Sequence, residues 1–155
     1  MALVHIEGIK IVAAGGDLDA AVALRVSKDA VDLDIPPEIL ERHNTLSPQP
    51  AARTELGFNV TLKAALENAG PDEYVLLFGG VNTSGVWTKS QGVRALGKLD
   101  IRLVVFQEDG TTKDWDITNV QQVAGMKRSF TYAQTSYQPI ELAGTDNTAL
   151  DFDES

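Results

Sequence analysis

The chain has 155 residues, 43% of them hydrophobic, no cysteine and a formal net charge of −9. A chain of that size buries one sizeable core. The missing thiols exclude a disulfide framework and a thiolate metal site, and the acidity argues against a generic phosphate-binding surface, which needs clustered Lys and Arg.

Val4, Ile6, Ile9 and Ile11 mark a first strand over Val4–Val12, broken near Gly8. Gly15-Gly16-Asp17 reads as a turn, and Val22, Leu24 and Val26 then alternate as a second strand able to form a hairpin with the first. From Ser27 to Arg53 the periodicity fails, and Pro36, Pro37, Pro48 and Pro50 interrupt the segment. A short helix is expected at Pro37–His43, with Pro37 suited to its first turn. Otherwise the segment, about 27–54, is a long connection, and connections of that length are usually functional or disordered. Two readings stay open: a mobile surface loop, or an arm that orders only against another subunit. Ile35, Ile39, Leu40 and Leu46 favour the arm, since a purely solvated linker rarely carries them.

Gly57–Ala64 alternates cleanly, with Phe58, Val60, Leu62 and Ala64 apolar, and is expected to be a strand with one core face. Pro71 to Gly79 carries helix punctuation: proline at the start, acids in the first turn, glycine at the end. Tyr74, Leu77 and Phe78 would share its buried face and plug an open end of the β framework. Val81–Ser90 is a short strand or loop containing Trp87. Lys98–Gln107 and Lys113–Val120 form two strands joined at Asp109-Gly110, a tight turn whose positive φ Gly supplies and Asp tolerates. Leu99, Ile101, Leu103 and Val105 face one way, and Trp115 and Ile117 continue that core. Phe130 and Tyr132, then Tyr137, Ile140 and Leu142, mark two final strands, and Asp151–Ser155 is expected to fray as an acidic tail after a single domain over 1–150. The expected fold is mainly β: an antiparallel β-sandwich or partly closed barrel with one α-helix and a long inter-strand arm.

No apolar run reaches membrane-spanning length. Met1–Glu7 has neither the basic nor the apolar region of a secretory signal, so folding in a cytoplasm is expected.

Chemistry is hard to place on this chain. Only two histidines exist, His5 and His43, so a histidine-based metal site would draw most ligands from carboxylates. Gly79–Gly85 is the most glycine-rich stretch, but the helix precedes it and the lysine of a phosphate loop is missing. Asp29, Asp32 and Asp34 have a calcium-loop spacing without the glycine and distal glutamate in register. Asp114 and Asp116 flank Trp115 as a glycosidase carboxylate pair might, yet alternation alone places them outward beside an inward Trp. A Ser/His/Asp site would need His5 or His43 as base and has no nucleophile elbow. The chain reads as non-enzymatic and without a cofactor. Trp87, Trp115, Tyr132 and Tyr137 keep a carbohydrate-binding module open as a second reading.

The order of elements carries a resemblance. Two N-terminal strands, an arm, the Gly57–Ala64 strand, the Pro71–Phe78 helix, a hairpin and closing strands resemble the major tail tube proteins of long-tailed bacteriophages. The best-matching parts are Lys113–Val120, Ser129–Ala133 and Gln138–Ala143. The resemblance implies a virion tail subunit, assembled in the host cytoplasm into stacked hexameric rings around a tape-measure protein. Such a tube meets a tail terminator and baseplate or tip proteins, and DNA passes through it without specific binding or membrane contact. Related tubes occur in contractile injection and type VI secretion systems. In this reading the arm from Asp34 to Arg53 makes the ring-to-ring contact, with Ile35, Ile39, Leu40, Leu46, Pro48 and Arg53 as its candidate oligomerisation residues. Outward polar residues Asn59, Thr61, Lys63, Asp100 and Arg102 are candidates for lumen or inter-subunit positions, or for plain solvent exposure. The alternatives are a carbohydrate- or receptor-binding β-sandwich module, a small hydrolase, or another virion protein such as a tail terminator or decoration protein.

Overall fold

A computed structural model describes residues 3–27 and 31–153. Seven strands form one curled antiparallel sheet, a half-barrel. They are β1 (Leu3–Ala13), β2 (Leu24–Arg25), β3 (Asp32–Asp34), β6 (Thr61–Leu66), β9 (Leu99–Gln107), β10 (Thr112–Gln122) and β11 (Gln138–Phe152), in the order β2-β1-β9-β10-β11-β6-β3. Two hairpins stand apart from the sheet, β4 (Pro37–His43) with β5 (Pro50–Phe58), and β7 (Val81–Thr83) with β8 (Val86–Thr88). The helix α1 spans Pro71–Phe78.

The segment around β2 partly closes the barrel. Leu24 and Arg25 pair with β1, and then Val26 bridges Leu66 while Ser27 N–H donates to the Ala65 carbonyl. One short stretch therefore stitches both ends of the sheet together, which leaves less unpaired edge exposed. The expected mainly β fold, with a partly closed barrel, one helix and an arm, is what the chain adopts.

The core lies on the concave face. Leu99, Ile101, Leu103 and Val105 all point into it, as their alternation predicts, against Leu62, Ala64 and Leu66 of β6 and Ile140 and Leu142 of β11. Tyr74, Leu77 and Phe78 bring α1 onto the same cluster. Gly70 N–H donates to the Glu73 carboxylate at 2.8 Å, Pro71 opens the helix, and Gly79 ends it at φ 75°.

Two β-bulges set the sheet's register. Ile117 and Val120 are both fully buried, although a spacing of three would place them on opposite faces of a regular strand. The register shifts at Asn119, which adopts φ 59°, a conformation asparagine tolerates better than most residues. Across from it β11 makes a larger excursion, since Thr118 pairs with Ala149 and Val120 with Gly144. Gly144 packs closely there: its N–H reaches the Val60 carbonyl at 2.8 Å, and a Cβ would crowd Val60 N at 3.2 Å. On β1 a second bulge, between Ile6 and Gly8, turns both Ile6 and Ile9 toward the core.

Several sequence expectations need correction. Pro37–His43 is a strand, because β5 supplies a backbone partner along its length, whereas an isolated seven-residue helix would not repay nucleation. The Gly57–Ala64 strand is two pieces: Phe58 ends β5, and Asn59 N–H donates to the Pro36 carbonyl where the chain turns into β6. At the β9–β10 hairpin only Gly110 has positive φ, and Gln107 N–H meets the Thr111 carbonyl in a longer loop. The tight turn with two positive-φ residues is instead Ser84-Gly85, between β7 and β8. Phe130 and Tyr132 lie in an irregular loop, and the final strand is the single 15-residue β11. It runs on to Phe152, two residues into the segment expected to fray, where Phe152 stacks on Trp115 at 4.4 Å between ring centroids. Glu154 and Ser155 lie outside the described residues.

Asp100 is the buried charge that fixes this register. Its carboxylate accepts Gly15 N–H at 2.9 Å and Asn119 N–H at 3.0 Å, tying the turn after β1 to the bulge of β10. Asp100→Ala strands both donors and is expected to cost about 2–3 kcal/mol. Urea unfolding at neutral pH would measure it, with a lower midpoint and an unchanged m-value as the expected result.

Candidate assembly surface

The β4–β5 ribbon is the feature that the rest of the fold does not explain. Among the described residues it pairs with nothing but itself, and both faces are open to solvent from Pro37 to Leu56, with Pro50 alone half-buried. A free two-stranded hairpin is marginally stable in water. This one also displays Ile39, Leu40 and Leu56, and its tip carries Leu46, 98% exposed.

The register divides the ribbon into two unlike faces. Leu40 sits opposite Thr54 and Arg42 opposite Ala52, so these four share one face, on which Arg42 is the single charge, while Leu56 falls at the register shift between the Ile39–Glu55 and Glu38–Gly57 pairs. The other face holds Ile39 opposite Glu55 and Glu41 opposite Arg53. There Glu41 accepts from Arg53 Nε at 3.5 Å and sits 3.1 Å from His43 Nε2. Exposed pairs of this kind contribute little to stability. At the ribbon's root Ile35 and Phe58 pack against the core, and Asn59 Nδ2 donates to Glu38. Leu56, Phe58 and Asn59 there share an open cleft of about 480 Å³ with the Thr145–Thr148 excursion of β11.

The structure thus separates the six candidate oligomerisation residues. Ile35 is half-buried at the root, Ile39 and Leu40 lie on opposite faces, Leu46 and Pro48 occupy the tip region, and Arg53 is paired with Glu41. Sequence reasoning missed Leu56, which sits at the register shift of β5 where alternation breaks. It also missed the exposure of Phe130 and Tyr132, at 81% and 98%, on the loop between β10 and β11.

Other candidates fall into structural roles. Asp100 and Arg102 face away from the core, but neither is left open to solvent. Asp100 is buried, and Arg102 makes a two-point contact with Asp116 at 2.7 and 3.1 Å, a 2.5 Å bond to Asp19 and a 3.7 Å approach to Asp114. Asp114 and Asp116 therefore serve as counter-ions to one guanidinium. Asp32 and Asp34 sit exposed on β3, and Asp29 lies outside the described residues. Among the described residues no group of three or more His, Asp or Glu is placed to hold a metal ion, and no helix is long and apolar enough to cross a membrane. His5 stacks on Phe106 at 5.0 Å and shares an open cleft with Glu7, Glu67 and Asp114. His43 is far away on the ribbon. Trp87 packs edge-on to Tyr74, Trp115 stacks on Phe152, and Tyr132 and Tyr137 belong to a loop, so these aromatics do not form one sugar-binding face.

No family model matches the chain, and no curated protein does. Solved structures do resemble it. A chain of the virion of a native gene transfer agent particle is 14% identical, with 94% of each chain covered and a TM-score of 0.49. A chain of the sheath/tube terminator of PVC, an extracellular contractile injection system, in its extended state is 18% identical, with 97% of this chain and 98% of that one covered and a TM-score of 0.49. A chain of the tube-terminating cap of the anti-feeding prophage is 15% identical, covering 99% and 93%, with a TM-score of 0.47.

The hydrogen bond from Arg102, followed by its positive charge, holds the Asp19 carboxyl below its usual value of 3.8. A carboxylate with a lowered folded-state pKa stabilises the fold above its unfolded pKa, and that contribution disappears as pH falls through the folded value. Asp19→Asn should therefore flatten the acid limb of the stability curve below about pH 4. Urea midpoints measured between pH 2.5 and 6 check this; an unchanged slope would show that the contact carries no linkage.

Proposed function

We propose that the protein is a tail structural subunit: a tube protein that assembles into hexameric rings, stacked into a hollow tube through which DNA passes. The observation that carries this reading is the β4–β5 ribbon. It projects from a folded sheet, buries no side chain fully between Pro37 and Leu56, and exposes Ile39, Leu40, Leu46 and Leu56. A monomer has no use for such a ribbon, whereas a neighbouring subunit would bury its apolar face and complete its stabilisation. The element order that resembles tail tube proteins supports the same reading. So does the curled antiparallel sheet, of a kind that subunits can continue into a ring. A net charge of −9 suits a lumen past which DNA slides without adhering.

In this reading the subunit lies in the virion tail after assembly in the host cytoplasm, around a tape-measure protein, between a terminator and a baseplate or tip. The subunit performs no catalysis and holds no cofactor. The ribbon reaches the adjacent ring, with Leu40 turned into the contact and Leu46 and Pro48 at its far end.

Replacing residues 38–57 by a short Gly-Ser linker tests it. The hydrogen bond from Asn59 to Pro36 shows that the two ends of the ribbon already lie together, so a few residues span the gap. The expected outcome is a folded protein whose unfolding midpoint stays within roughly 0.5 kcal/mol of the parent, as for other exposed sites. Negative-stain microscopy should show rings or tubes for the parent and no tubes for the variant. Tubes that persist without the ribbon, or a parent that stays monomeric at every concentration, would sink the proposal.

A further inference from the structure

Positive charge is distributed unevenly in this acidic chain. Two loops, residues 89–98 and 123–137, hold five of the 13 basic residues and none of the 22 acidic ones, although Lys98 Nζ lies 3.6 Å from Asp146 of β11. They meet at one end of α1. Gln121 Nε2, beside the longer loop, donates to the Leu96 carbonyl at 2.8 Å. Arg94 lies over Gly79, where a Cβ would come within 2.7 Å of its side chain, and Trp87 Nε1 donates to the Gly79 carbonyl. Tyr74 packs on Trp87, and the Tyr74 hydroxyl accepts from Arg128.

The longer loop is a built platform. Arg128 also donates to Ser136 Oγ at 3.0 Å and to the Ser136 carbonyl at 3.2 Å, and its guanidinium lies 5.9 Å from the Phe130 ring centre. Internal bonds of this kind hold compact loops in shape. The platform presents Phe130, Tyr132 and Met126 to solvent beside the exposed Lys127, with Lys89 and Val93 on the shorter loop.

The opposite charge sits at the far end of the same strand pair. Loop 123–137 joins β10 to β11, while Asp116 pairs across to Asp151 at the other end, with Asp114 on the same outward face. From Gln122 back to Asp114 is roughly 26 Å at ~3.3 Å per residue. Like charges directly opposite one another are destabilising, and Arg102 relieves Asp116 but makes no ion pair with Asp151.

We propose that the basic aromatic face of one subunit docks on the Asp114–Asp116–Asp151 face of a second copy of this chain. One end of the β10–β11 pair meets the opposite end of the next, which makes the contact head-to-tail. Repeated contacts of that type close into a ring or grow into a filament. The inference rests on the proposed tube and assigns its lateral contact, which is separate from the ribbon. Nucleic acid is the poorer occupant: Arg94 and Arg128 are turned onto the protein itself, and the net charge of −9 repels a polyanion.

Two charge-reversed proteins test this, Lys89→Glu with Lys127→Glu, and Asp114→Lys with Asp151→Lys, with near-UV circular dichroism confirming that each is folded. Sedimentation velocity at low and high NaCl should show each variant associating at least ~10-fold more weakly than the parent. Mixing the two restores complementary charges at every contact and should restore assembly. Variants that assemble as the parent does would overturn this contact while leaving the tube reading intact. A parent that never associates would remove both. Loss of binding to a single-stranded oligonucleotide by Lys89→Glu/Lys127→Glu, with self-association unchanged, would reassign the face to nucleic acid.

Discussion

The sheet depends on one buried carboxylate. Asp100 joins Gly15 and Asn119, residues far apart in the chain, and so fixes where β10 slips out of regular alternation. Without that slip Ile117 and Val120 could not both face the core, and the β10–β11 pairing would lose its register. The Asn119 carbonyl then accepts both Thr145 Oγ1 and Thr148 Oγ1, which organises the excursion of β11 on the opposite side. A charge out of water is costly unless its hydrogen bonds are met. Here they are met by backbone donors that the two irregular points would otherwise leave unpaired.

The molecule divides its apolar residues between two uses. Those of β6, β9, β11 and α1 close a single core, where each fully buried aliphatic side chain contributes about 1.5–3 kcal/mol. Those of the ribbon contribute nothing of that kind in one subunit. Retaining Ile39, Leu40, Leu46 and Leu56 in water favours burial against something else, and the short connection at Asn59–Pro36 lets the ribbon be covered without disturbing the sheet. Under the proposed assembly, folding and association would be carried by separate sets of side chains.

That division also decides what could be read in advance. The helix was legible because proline, acids and glycine punctuate it locally, and β9 because its alternation is the direct consequence of one buried face. The ribbon strands bury neither face, so no alternation marked them, and Pro37 and Pro50 pointed to a helix start or a loop instead. Phe130 and Tyr132 looked like a strand for the converse reason: aromatic residues with polar neighbours mimic a buried face, while the loop is in fact shaped by side-chain bonds from Arg128. Asp100 and Arg102 do face away from the core, but alternation predicts a direction and not the partners that cover them. Their partners Gly15 and Asp19 are 85 and 83 residues away in sequence. Of the assembly surface, the apolar content of the arm was visible and its geometry was not.

Net charge limits how such a subunit can associate. Copies carrying −9 repel one another at long range, but at physiological ionic strength that repulsion is screened beyond about 8 Å. Contact must then be favourable at short range, where apolar burial and local charge pairing act. The Leu40–Thr54 face of the ribbon offers burial with only Arg42 to desolvate, and the 89–98 and 123–137 loops offer positive charge with no acid in their own sequence. Contacts of the first kind strengthen or hold as salt rises, whereas charge-paired contacts weaken. In the proposed assembly, stacking through the ribbon and lateral contact through the basic face would therefore respond oppositely to ionic strength, which would give the two interfaces separable signatures.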